Sequence, residues 1–152
     1  MEESYDQVDG VLSSISGYSG GHLKNPKYED VIYKDTGHVE VIEVTYNPSV
    51  VSYKDLLNVY WKNIDPFDAS GQFCDKGKSY RSVIFFENNS QKELIDKSFK
   101  EVAILGVPDK LEYATCPKVP SCFKNCPELP LGSWKKFAPF TNWFVLVGIV
   151  VL

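Results

Sequence analysis

The stretch from His38 to Asn63 constrains the fold more than any other, because a two-residue period gives way there to a 3.6-residue one. His38, Glu40, Ile42, Val44 and Tyr46 point one way from an extended chain, and Val39, Val41, Glu43 and Thr45 the other. That alternation predicts a strand over 38–46. Across 52–63, Tyr53, Leu56, Leu57, Tyr60 and Trp61 recur at helical spacing and form one apolar stripe. Ser52, with Asp55 three residues on, is placed as a capping box. A strand leading directly into a one-sided helix needs a sheet face for that helix to cover.

Later stretches repeat the theme. Tyr80–Phe86 reads as a second strong strand, and Ser90–Val102 as a second helix, with Ser90 and Glu93 as its capping pair. Val11–Tyr18 is a weaker strand, and Tyr28–Lys34 a short helix. Met1–Val8 reads as the end of a helix stopped by Gly10, and Asp65–Ser79 as a long polar loop. Alternating elements of this kind argue for a two-layer α/β (α+β) domain. We expect three regions: 1–102 as the folded unit, 103–142 as a Pro- and Cys-rich insertion with a last-strand region, and 143–152 as an apolar segment. The middle region holds six of the nine prolines and three of the four cysteines.

At 152 residues the chain suits one domain. Its 16 Lys and Arg against 20 Asp and Glu argue against an electrostatically driven nucleic-acid binder. The acidic, polar N-terminus is unlike a secretory signal. The longest apolar run, Trp143–Leu152, is about half of the ~20 residues that a membrane-spanning helix needs. Four cysteines are too few for a secreted disulfide scaffold of this length, so a cytoplasmic protein is expected.

Several residues have the chemistry of a site. Glu40 shares its strand face with Ile42 and Val44. On an apolar face its carboxyl stays protonated toward neutrality and serves as an acid; at a wet strand end it is an ordinary surface carboxylate. Tyr28 and Tyr80 stand at element starts after polar loops, where phenols either donate to an oxyanion or pack. Asp75 lies in a turn-like stretch, where Asp usually satisfies its own backbone. His22 and His38 are not spaced as a metal pair, and no zinc site is expected. Cys116, Cys122 and Cys126 match no closed tetrahedral set.

Four segments share one pattern: Gly17-Tyr-Ser-Gly-Gly-His-Leu-Lys-Asn-Pro-Lys-Tyr28, Thr36-Gly-His-Val-Glu40, Asp65-Pro66 and Gln72-Phe-Cys-Asp-Lys-Gly-Lys-Ser-Tyr-Arg-Ser82. In order and spacing they closely resemble the A-type peptide methionine sulfoxide reductases, over residues 1 to about 100. The resemblance implies a ferredoxin-like sandwich and reduction of methionine S-sulfoxide, free or in proteins, without metal or organic cofactor. In that family a cysteine thiolate attacks the sulfoxide sulfur, methionine leaves and a sulfenic acid remains. Further thiols and thioredoxin then restore the enzyme. By match of position, Glu40 is the proton donor to the sulfoxide oxygen and Tyr28 and Tyr80 are hydroxyl donors. Asp75 orients water and substrate. The expected substrate-binding set is Tyr28, His38, Glu40, Asp75 and Tyr80, with Cys116, Cys122 and Cys126 as candidate resolving thiols.

The family's nucleophile stands in a Gly-Cys-Phe-Trp motif at a helix start, which lowers a thiol's pKa. The 152 residues contain no such motif, and Met1 and Glu2 align just after it. By this reading the chain is N-terminally truncated. It lacks the family's first, central strand and is expected to be inactive or severely impaired. The alternative is a non-catalytic remnant that binds Met-containing peptides or a protein partner. Cys74 is a poor substitute, since the neighbouring Asp75 carboxylate disfavours its thiolate. At the other end, Gly106–Lys135 reads as an insertion and Lys136–Phe144 as the family's last-strand region. Phe144–Leu152, apolar on both faces, has the composition of a fully buried strand. We expect it to fill the vacant central place in the sheet; the alternative is an exposed apolar tail or a crude membrane contact.

Overall fold

The computed structural model describes residues 1–105 and the backbone of a strand at 148–151. Its elements in chain order are α1 (Glu2–Asp6), β1 (Val11–Ser19), α2 (Tyr28–Tyr33), β2 (Val39–Tyr46), α3 (Tyr53–Asn63), β3 (Gly71–Gln72), β4 (Asp75–Lys76), a 3₁₀ turn (Lys78–Tyr80), β5 (Val83–Phe85), α4 (Asn89–Ala103) and β6 (Gly148–Val151). Four strands form a mixed sheet in the order β1-β2-β6-β5, and β3 pairs with β4 in a separate small hairpin. β1 runs antiparallel to β2, whereas β6 is parallel to both β2 and β5.

The segment expected to fill the gap in the sheet therefore does so over Gly148–Val151. Its residues pair with Val41–Val44 on one side and Val83–Phe85 on the other. Without it β2 and β5 would each present an unpaired edge. The two-layer α/β class is as expected. Tyr5 of α1, Ile42 and Val44 of β2, the α3 stripe of Tyr53, Leu56, Leu57 and Tyr60, Ile84 of β5 and Ile95 of α4 form one buried cluster. The Tyr5 hydroxyl donates to the Leu56 carbonyl at 3.2 Å, so this buried phenol is satisfied.

Local rules explain most of the boundaries. Ser52 Oγ accepts from the Asp55 amide at 3.2 Å, and the Asp55 carboxylate accepts from the Ser52 amide at 3.3 Å. The capping box is thus reciprocal. Two expectations need correction. α4 is capped by Asn88, whose side chain accepts from the Gln91 amide at 2.9 Å, and Ser90 lies inside the helix. The strand expected at 80–86 shrinks to Val83–Phe85, because Tyr80 closes a 3₁₀ turn. The region expected as a plain loop also carries the β3–β4 hairpin, with Phe73 at φ 48° in its turn.

Candidate functional site

Pairing between β1 and β2 builds the site. Glu40, the second residue of β2, lies directly across the ladder from Tyr18 near the end of β1. Directly opposed residues project from the same sheet face. Both side chains are buried, Glu40 at 6% and Tyr18 at 5% exposure. The next pair on that face is Ser16 and Ile42, of which Ile42 belongs to the buried core.

Burial, reinforced by the Asp75 carboxylate, pushes the Glu40 carboxyl up to about 7. Of the two alternatives the residue pattern left open, the apolar-face one holds. Tyr80 closes the 3₁₀ turn, and its phenol is pushed well above the ordinary range by burial, then by Glu40, Tyr28 and Asp75. A hydrogen bond with Tyr28 further favours the protonated Tyr80 hydroxyl. Tyr28 opens α2 and keeps an exposed side chain. Asp75 is the first residue of β4, paired with Gln72. The structure thus brings Glu40, Tyr28, Tyr80 and Asp75, from four elements, within electrostatic reach of one another.

His38 stands at the entrance of β2, two residues before Glu40. Its imidazole is buried and lies against Gly21, where a methyl group would overlap the ring. Burial, then the neighbouring His22, holds it below the ordinary imidazole value. Its Nδ1 has no hydrogen-bond partner among the described residues. Cys74 is exposed and free in the β3–β4 turn. Cys116, Cys122 and Cys126 lie outside the described residues. Among the described residues no group of three or more His, Cys, Asp and Glu could hold a metal ion. No helix there is long and apolar enough to cross a membrane.

Two contributors escaped the sequence reading. Tyr18 is one; only the register of β1 against β2 reveals that it faces Glu40. Gln72 is the other, fully buried in the loop that carries Asp75 and Tyr80. Its Oε1 accepts from the Asp65 amide at 2.7 Å. Its Nε2 faces the carbonyls of Asp65 at 3.0 Å and Gly71 at 2.8 Å, and Ser82 Oγ at 2.8 Å. One amide therefore ties both ends of the loop together. Gly71 fits because a side chain there would overlap the Asp75 carbonyl oxygen. Arg81 fastens the same loop to the entrance of β2, donating to the Lys78 carbonyl at 2.6 Å and the Gly37 carbonyl at 3.3 Å.

Comparison with known proteins gives the family and the fold. The family model described as peptide methionine sulfoxide reductase matches residues 1–112. A peptide methionine sulfoxide reductase MsrA of Streptococcus agalactiae is 44% identical over 110 residues, covering 72% of this chain and 65% of the relative. The protein of the same name from Bacillus subtilis is 45% identical over 107 residues, covering 70% and 60%. The chain therefore spans less than two thirds of the length of these relatives. Among solved structures, methionine sulfoxide reductase A of Corynebacterium diphtheriae superposes with a TM-score of 0.66 at 24% identity, over 78% of this chain and 59% of that one. Reduced Mxr1 of Saccharomyces cerevisiae gives 0.61 at 30% identity, over 74% and 66%.

Proposed function

Because the chain belongs to the peptide methionine sulfoxide reductase family, we propose that the Glu40 site binds methionine S-sulfoxide, free or in proteins, and donates a proton to its oxygen. The observation that carries this reading is a buried carboxyl, its ionisation pushed up to about 7, grouped with two phenols. As the S–O bond breaks, the oxygen gathers negative charge and must be protonated. Glu40 supplies that proton, the Tyr28 and Tyr80 hydroxyls donate hydrogen bonds to the oxygen, and Asp75 orients substrate and water. His38, packed against Gly21, completes the proposed substrate-binding set.

The electrons come from a thiolate, with Cys116, Cys122 and Cys126 as candidate resolving thiols and thioredoxin as the final reductant. None of the four cysteines stands in a Gly-Cys-Phe-Trp motif. We therefore assign substrate binding and proton donation to these 152 residues, with poor turnover by them alone. The test is titration of the isotope-labelled chain with a blocked methionine S-sulfoxide, followed by NMR, alongside dithiothreitol-dependent turnover. Shifts at Tyr28, Tyr80 and Glu40 for the S epimer only, weakened by Glu40→Gln, support the reading. No shifts there, or an equal response to the R epimer, overturn it. Stereospecific binding without turnover identifies the chain as the binding remnant.

A further inference from the structure

We propose that Tyr18 is a positioning residue of the site: its ring, directly across the β1–β2 ladder from Glu40, is the wall that keeps water from the Glu40 carboxyl. The argument starts from register. Tyr18 pairs with Glu40, and Ser16 with Ile42, so on the β2 side this face runs from Glu40 into the core residues Ile42 and Val44. The residue after it on that face of β1 would be Gly20, which has no side chain and sits at φ 82°, where the strand ends. Nothing beyond Tyr18 on β1 can therefore shield the carboxyl.

A tyrosine at 5% exposure has its ring packed, and the group packed opposite is a carboxyl at 6% exposure. Of the other ionisable groups near Glu40, His38, two residues before it at the entrance of β2, is also buried, and it packs against Gly21. Asp75 of β4 is a half-buried carboxylate, and it acts by repulsion. Tyr80 of the 3₁₀ turn is half-buried, and Tyr28 of α2 is exposed. Tyr18 interacts electrostatically with Glu40, Tyr28 and Tyr80 together, which places its ring among the working groups. It stands across the ladder from the proposed proton donor without being the donor, so its part is to hold Glu40 dry.

The value of this wall for sulfoxide reduction rests on the function proposed above, but its effect on Glu40 does not. The experiment is a pH titration of the Glu40 side-chain carboxyl by carbon-13 NMR in the full chain. The resonance is assigned through its loss in Glu40→Gln. The wild-type midpoint is expected near 7. Tyr18→Phe keeps the ring and should leave the midpoint at or above the wild-type value. Tyr18→Ser admits water and should lower it by a unit or more, a tenfold fall in the ratio of protonated to ionised Glu40. A folded Tyr18→Ser chain that titrates like wild type overturns the proposal. So does a Tyr18→Phe chain whose midpoint falls, and this second result does not depend on the serine variant folding. The readout uses no substrate. A chain that titrates as expected yet ignores methionine S-sulfoxide leaves the wall standing and refutes the function.

Discussion

Glu40→Gln separates what this residue does for chemistry from what it costs the fold. The folded carboxyl ionises near 7, against 4.5 for the ordinary side chain. The folded state therefore holds the Glu40 proton through a window in which the unfolded state has lost it. The stabilising linkage is fully present below pH 4.5 and is lost as pH rises through 7. Integrated over the 2.5 units between these two values, it amounts to about 3 kcal/mol. Glutamine has nearly the same shape and carries no titratable charge. The variant should match wild type in stability near pH 4.5 and exceed it by about 3 kcal/mol at pH 8.5, roughly 10 °C in Tm for a domain of this size. Urea denaturation of both proteins at half-unit pH steps reads this directly. A stability difference that does not change with pH, or one that reverses sign, refutes the reasoning. Substrate protonation should run the other way. It should fade above pH 7 in wild type and be absent from the variant, so the residue proposed to donate the proton weakens the fold under alkaline conditions.

Other outcomes follow from particular contacts. Gln72→Leu strands the Asp65 amide and three acceptors, and should destabilise by about 2–4 kcal/mol, measured by urea denaturation; a loss below 0.5 kcal/mol would show that the loop is held elsewhere. Asn88→Ala should cost about 1 kcal/mol in the same assay and Ser90→Ala less than half of that, since only Asn88 caps α4. Amide exchange at Ile149 and Val150 should be slowed to the rate of β2, because both flanks of β6 are paired. Exchange there as fast as in an exposed loop would remove β6 from the sheet.

Much of this was legible in advance because it depends on local periods. The alternation at 38–46 and the stripe at 52–63 require one strand and one helix whatever else the chain does. Glu40, Tyr28, Tyr80 and Asp75 were legible as a set only through resemblance. Composition alone left Glu40 between a surface carboxylate and a buried acid. What broke the expectations was equally local: Asn88 outcompeted Ser90 as a cap, and a 3₁₀ turn took Tyr80 out of the strand.

The sequence by itself determined the chemical types present, the one-sided helix and the apolar segment suited to a buried strand. A period of two or of 3.6 residues is a property of neighbours along the chain. Only the tertiary structure decided that Tyr18 meets Glu40, that Gln72 closes the loop bearing Asp75, and that Gly148–Val151 lies between β2 and β5. Register and strand order join residues far apart in the chain, and burial follows from them. The ionisation of Glu40, on which the proposed chemistry depends, belongs to that burial and to no feature of its neighbours in sequence.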